Sequence, residues 1–388
     1  MKKIAIVTWK MALGGTEKSL ISMLEAIPKE NYHVTLFIMD PGGELDSEIP
    51  KHIKVEYLHR YETTASNQIK SYLQHGKLLK ALKVSYFAYQ SSRSRTKFDW
   101  EKNHSRVLPK TKESFDMAIA YHVPTSFSVL YAMNNISAAF KVAWIHNDVE
   151  YEKDISLYRD YYLKYDRIFC VSKQSKDKFV NVFPELKNQT SVFYNILDVI
   201  KMYELAEKEV DFNDPSFNGI KLLTVGRLDG AKGYDLIPPI LQRLVSEGLD
   251  VKWYCVGEGD YRGKVEELIK TYHLQDKLIL LGMKLNPFPY YKQCDIYVQP
   301  SRNEGFCNTL SEAKVFYKPI VTTDFVGAKE QISHGKTGLM VKYNEDELFH
   351  AIKELCLNQK LCQTLTENLK VDFSLNKTDI SKLLSIIA

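Results

Sequence analysis

Two glutamates, Glu304 and Glu312, stand eight positions apart in SRNEGFCNTLSEA, with small and apolar residues between them and Cys307 in the middle. Ionised carboxylates only accept hydrogen bonds, and sugar or ribose hydroxyls donate them, so the pair suits a polyhydroxylated ligand. Upstream, LLTVGRLDGAKGYD sets Arg227 and Lys232 five residues apart around a glycine-rich turn. A planar guanidinium fork and a mobile ammonium together suit a diphosphate; the plainer reading is two surface cations in a loop. Near the start, VTWKMALGGTEKS carries Gly14 and Gly15 ahead of a helical run. There the backbone can approach a ligand and the helix N-terminus favours an anion, although many Gly-Gly turns do neither. AWIHND offers His146 and Asp148. Two adjacent ligands are too few for a metal site, so a hydrogen-bonding histidine is the preferred reading and no metal is expected. CVGEGDYRGKVEEL tempts as a dinucleotide fingerprint, but its third glycine comes one residue late and no P-loop fits it.

These residues need elements to position them. KIAIVTW, HVTLFIM, FDMAIAYH, FKVAWIH and RIFCVS read as strands, and a second series follows with IKLLTVG, DVKWYCVG, LILLG, DIYVQP and KPIVTT. Continuous apolar strands with helix-length segments between them predict parallel sheets covered on both faces. The fold class expected is therefore α/β, with two successive doubly wound units. Ligands of such sheets sit beyond the carboxyl ends of the strands, where each motif falls. On this reading Glu304 lies in a loop and a helix starts at Asn308, so that backbone N–H groups of Phe306, Cys307, Asn308, Thr309 and Leu310 face phosphate oxygens. The unit boundary is expected within residues 198–220, where FNDPSFNG is rich in turn formers. This gives an N-terminal domain over 1–200 with a basic helical insertion at 66–112, a C-terminal domain over 201–370, and a last helix at 371–388 packing back on the first unit.

A chain of 388 residues suits two cores, and its 45% hydrophobic content is ordinary for a globular protein. The six cysteines form no C-x-x-C pair, which predicts reduced thiols and a cytosolic setting. IAIVTW is too short for a signal h-region, and no run reaches the ~18 apolar residues of a membrane span. The net charge of +4 is uneven: between Lys70 and Lys112 there are 11 Lys/Arg and two Asp/Glu, interleaved with Tyr72, Tyr86, Phe87, Tyr89, Phe98 and Trp100. Such a segment predicts an anionic partner surface, against the alternative of a solvated helical insertion. Nucleic acid is disfavoured because no recognised binding motif surrounds it. The localisation expected is cytoplasmic, with peripheral attachment to the inner membrane face if that surface is a membrane.

Gly14-Gly15 after the first strand, GRLDGAKG, VGEGDYRGKVEEL, YYKQCDIYVQPS, EGFCNTLSEA and GKTGLMV occur in a familiar order. Over Ile4 to Val341 the chain resembles family 4 of the retaining glycosyltransferases. LGGTEKSL, FDMAIAYH and VFYNILD make it most similar to bacterial enzymes of capsule and exopolysaccharide assembly. The resemblance implies the GT-B fold, two Rossmann-like domains facing across a cleft. It implies transfer from a nucleotide-diphosphate sugar, UDP by family habit, to a glycan or lipid-linked acceptor. Glu304 would bind hydroxyls of the donor sugar and Glu312 the ribose. Arg227 and Lys232 would neutralise the leaving diphosphate, with Gly226 and the Gly14-Gly15 turn beside it, and His146 would approach the donor sugar. The family usually has glycine where Cys307 stands.

The implied chemistry is front-face displacement without a cofactor, and the absence of any Asp-x-Asp agrees with metal independence. Two alternatives keep the fold: a GT-B epimerase, or a nucleotide-sugar-binding module without turnover. The intact set of candidate residues argues against the second.

Overall fold

The computed structural model describes residues 1–208, 212, 217–325, 327–375 and 380–388. The chain divides into two compact units, Met1–Ile196 with Thr378–Ala388, and Leu197–Lys377. Half of FNDPSFNG, residues 213–216, and residues 376–379 of the last predicted helix lie outside the described residues.

The first unit is built on seven parallel strands: β1 (Lys2–Thr8), β2 (Tyr32–Ile38), β3 (Lys54–Tyr57), β4 (Ser114–Ala120), β5 (Ser137–Ile145), β6 (Arg167–Cys170) and β7 (Thr190–Val192). Their order across the sheet is β3-β2-β1-β4-β5-β6-β7. Ile4, Ala5, Ile6 and Val7 of β1 are fully buried, as a central strand with both faces covered requires. The second unit has six: β8 (Ile220–Val225), β9 (Val251–Val256), β10 (Leu278–Gly282), β11 (Ile296–Gln299), β12 (Ile320–Thr323) and β13 (Leu339–Val341), in the order β10-β9-β8-β11-β12-β13. All pairings between these strands are parallel.

Ten of these strands coincide with the apolar runs read from the sequence. The other three, β3, β7 and β13, are sheet edges of three or four residues, partly open to solvent and too short to stand out as strand-length apolar runs. In each sheet the strand order reverses at one place, between β1 and β4 and between β8 and β11. Connections leave such a pair in opposite directions, which opens a crevice at their carboxyl ends.

Between β3 and β4 run three helices, α2 (Ala65–Gln74), α3 (Leu78–Ser92) and α4 (Lys97–Val107), which follow α1 (Gly15–Ala26) in the chain. α4 is the anchored one. Phe98 packs edge-on against Tyr158 at 4.9 Å, and the buried Glu101 accepts the Tyr158 hydroxyl at 2.5 Å. After the second sheet the chain returns to the first unit. There Lys382 donates to the Val192 carbonyl and lies over the Phe169 ring.

Candidate active site

The loop after β8 and the loop after β11 leave the two strands that flank the second reversal point, so residues far apart in sequence meet. Lys232 Nζ donates to Glu304 Oε1, with side chains 17% and 13% exposed. Ser301 Oγ donates to the same Glu304 oxygen at 3.0 Å, and Gln299 Nε2 donates to Ser301 Oγ at 2.7 Å. Gln299 Oε1 in turn accepts the hydroxyls of Tyr297 and of Thr309, the latter at 3.0 Å. Burial alone would lower the Lys232 pKa, but the charge of Glu304 and the hydrogen bond to it outweigh burial and hold the ammonium above the usual lysine range. A charged, hydrogen-bonded pair under little water is the result.

The two loops are clamped together. The Arg302 backbone N–H donates to Ala231 O at 2.7 Å, and its guanidinium reaches Gly230 O at 2.5 Å and grips Asp235 through both terminal nitrogens. Gly233 has φ 71°, and a Cβ there would stand 1.9 Å from Pro300 O, so only glycine lets the loops touch. Asp229 caps the turn Gly230–Lys232 by accepting the N–H groups of Ala231 and Lys232 at 3.0 and 3.1 Å. Its other oxygen takes the Arg227 Nε at 3.0 Å, and the Arg227 side chain otherwise points to solvent, 77% exposed.

The helix Asn308–Val315 begins at the predicted residue. Its N-cap is Cys307, in the left-handed region at φ 44° and ψ 82° although it is not a glycine. This explains in backbone terms why the position suits glycine. Burial, then the Glu304 charge, pushes the Cys307 thiol up to about 12, so it remains protonated and is no nucleophile. One part of the predicted phosphate cradle needs correction: the Leu310 N–H is donated to Cys307 O at 3.1 Å, and its side chain is fully buried in the core. Gln331 Nε2 holds the Phe306 carbonyl at 2.8 Å. Glu312 is buried in the second turn of the helix beside Tyr291. Burial and then the Glu312 charge raise that phenol's pKa well above its usual range.

In the first unit, Gly14 and His146 lie at the carboxyl ends of β1 and β5. Gly14 is the N-cap of α1, and a Cβ on it would meet Glu17 Oε2 at 2.4 Å. The carboxylate of Glu17 thus lies over the glycine turn, where it complements the helix N-terminus. His146 is 7% exposed, and its Nε2 has no hydrogen-bond partner among the described residues. The Tyr121 ring packs against it at 4.4 Å, and burial, then His122, pushes its pKa down to about 3. It is a neutral imidazole with a hydrogen bond to offer. Asp148, the other residue weighed as a metal ligand, takes Lys178 at 2.6 Å and caps the turn that follows it. Among the described residues no group of three or more His, Cys, Asp or Glu is placed to hold a metal ion.

Sequence reasoning missed Ser301 and Gln299, which orient Glu304, and His122 and Glu17 in the first unit. His122 Nε2 is 4.0 Å from Glu17 Oε1. A signal for His122 existed: FDMAIAYH and FKVAWIH end on histidine in the same manner, on strands that pair side by side.

The geometry is thus two doubly wound parallel-sheet units, the second with a half-buried lysine–glutamate pair at its reversal point. Residues 207–372 match the family described as Glycosyl transferases group 1. The fold is that of GT-B glycosyltransferases, and the chain is an enzyme of the glycosyltransferase class. Over 370 residues it is 26% identical to an N-acetylgalactosamine-N,N'-diacetylbacillosaminyl-diphospho-undecaprenol 4-alpha-N-acetylgalactosaminyltransferase of Campylobacter jejuni, covering 93% of this chain and 92% of that one. It is 28% identical over 226 residues to an uncharacterized glycosyltransferase of Methanocaldococcus jannaschii, which accounts for 54% of this chain and about half (55%) of the relative. Among solved structures, Anabaena HepE in complex with UDP and glucose superposes with a TM-score of 0.73 at 18% identity, covering 100% of this chain and 97% of that one. No helix among the described residues is long and apolar enough to cross a membrane.

Proposed function

We propose that the chain is a retaining, family 4 glycosyltransferase that moves a sugar from a UDP-sugar to a hydroxyl of a glycan or lipid-linked acceptor in bacterial surface polysaccharide assembly. The observation that carries this reading is the Lys232–Glu304 pair at the β8/β11 reversal point. It sets a cation for phosphate directly beside an acceptor for sugar hydroxyls, the two demands of a diphosphate–sugar junction. The names of the Campylobacter relative and of the Anabaena complex supply the lipid-linked acceptor and the uridine nucleotide. Both are carried here by analogy.

On this reading the bond from the sugar's anomeric carbon to the diphosphate breaks while the acceptor oxygen bonds to the same face. The acceptor proton passes to the departing phosphate. Lys232 and the solvent-facing Arg227 stabilise the charge that develops, with the Gly226 turn and the start of the Asn308–Val315 helix around the phosphates. Glu304 holds sugar hydroxyls and Glu312 the ribose. Phosphate charge is met by protein cations, with no metal required. A lipid-linked acceptor would be met at a membrane surface.

Arg227→Ala is the cleanest test, because that side chain is exposed and its loss spares the fold. Transfer from UDP-sugars should fall by roughly 10²–10³-fold, the order for one lost charge-stabilising group. Product stereochemistry by NMR should show retention, and EDTA should leave the rate unchanged. A near-normal rate in Arg227→Ala, an inverted product, or loss of turnover in EDTA would each sink the corresponding part of the mechanism.

A further inference from the structure

The helices between β3 and β4 include a surface that sugar transfer does not explain. α3 buries Ala81, Val84 and Ser91 toward the unit. Leu78, Leu82, Tyr86 and Tyr89 follow the i, i+4, i+8, i+11 spacing of the opposite face. They are exposed by 61%, 66%, 57% and 53%, and Leu79 beside them by 84%. A soluble helix ordinarily shows one apolar stripe, the inward one. α3 shows two.

The setting of the outer stripe says what it fits. From Thr63 to Phe98 the chain carries Lys70, Lys77, Lys80, Lys83, Arg93, Arg95 and Lys97, and no Asp or Glu. Lys77, Lys80 and Lys83 are all exposed and border the leucines, and Arg93 lies over the Tyr89 ring at 5.0 Å. Protruding leucines, tyrosines and a collar of uncompensated lysines match the layering of a phospholipid interface. The apolar side chains reach the acyl boundary, the phenols stay at headgroup depth, and the ammonium groups meet phosphate. A protein groove would accept the leucines but gives no reason for a carboxylate-free stretch of this length. We propose that the outer stripe of α3 docks the enzyme on an anionic phospholipid surface, with Leu78, Leu79 and Leu82 inserted and Lys77, Lys80 and Lys83 on the headgroups. This goes beyond the transferase reading, and it is measured without turnover, so either can fail alone.

The test is sedimentation of the full chain with vesicles of phosphatidylglycerol and phosphatidylcholine in equal parts, and with phosphatidylcholine alone. Wild type should pellet with the anionic vesicles, weakly with the neutral ones, and less as salt rises. Lys77→Gln, Lys80→Gln and Lys83→Gln combined should weaken anionic binding by roughly a hundredfold, from about fivefold for each surface lysine. Leu79→Ser with Leu82→Ser should abolish the residual neutral binding and much of the anionic binding. Both variants should melt as wild type does, because the altered side chains are exposed. The proposal is overturned if wild type pellets with neither vesicle, or if either variant pellets as wild type does. It is also overturned if gel filtration shows a dimer that the leucine variant dissolves while vesicles bind nothing, which would assign the stripe to a second copy of the chain.

Discussion

Lys232 and Glu304 make a prediction about stability that is independent of any substrate. Glu304→Gln keeps the volume and the Ser301 hydrogen bond but leaves the Lys232 ammonium without its counter-charge at a site only 17% exposed. Removing one partner of a fully buried pair costs about 3–5 kcal/mol. Residual exposure and the freedom of a lysine to lose its proton reduce this to roughly 2–4 kcal/mol. A domain of this size loses about 2–4 °C of Tm per kcal/mol, so the second unit should melt roughly 5–15 °C lower. Lys232→Met should cost less, because Glu304 keeps the Ser301 hydroxyl. The double variant should recover part of the loss, with a coupling of about 1–3 kcal/mol. Scanning calorimetry on the four proteins measures all of this. If both single variants melt within a degree or so of wild type and the double is additive, the two groups do not form a buried pair and the electrostatic reasoning is wrong.

Two more outcomes follow from burial and backbone. Burial holds His104, His122 and His146 neutral, with pKa values down to about 4, about 4 and about 3, while burial pushes Glu101 up to about 7. Between pH 6 and 5 the unfolded chain therefore binds three protons that the native histidines refuse, and the native Glu101 holds one that the unfolded chain lacks. The histidine contribution is present above their unfolded pKa and lost as pH falls. The net two protons should cut stability on the order of 2–3 kcal/mol per pH unit, and a melting temperature that is flat or rising from pH 6 to 5 would refute this. At Cys307, φ 44° costs an alanine about 1–2 kcal/mol relative to glycine, against about 0.5–1 kcal/mol for the extra freedom of unfolded glycine. Cys307→Gly should thus melt no lower than Cys307→Ala, and β-branched Cys307→Val lowest of the three; the reverse order would show that thiol packing dominates.

Much of the frame was legible because central parallel strands announce themselves as apolar runs, as IAIV and LLTV do. Short edges such as Lys54–Tyr57 do not, since they bury only part of one face. The helix start at Asn308 followed from the strand before it and the small residues around it. The Lys232–Glu304 contact was not legible, because it spans 72 positions and depends on β8 lying beside β11. The same holds for Glu17 over Gly14: nothing local tells a glutamate in the first helical turn to fold back over its own cap. Cys307 is intermediate. Comparison with a glycine position marked it as unusual, but only the positive φ says why.

The clamp of Arg302 on Gly230, Ala231 and Asp235, with Gly233 against Pro300, has a calorimetric consequence. Flexible loops that close on a ligand lose conformational entropy, at about 1–2 kcal/mol per backbone residue ordered. Here the two loops are already fastened to each other, so a ligand that bridges them has little chain left to freeze. Titration of a nucleotide diphosphate into the enzyme should then show a favourable enthalpy from charge-assisted bonds with only a small opposing entropy. Loosening the clamp with Arg302→Ala should shift the loss onto the entropy, even though Arg302 need never touch the ligand.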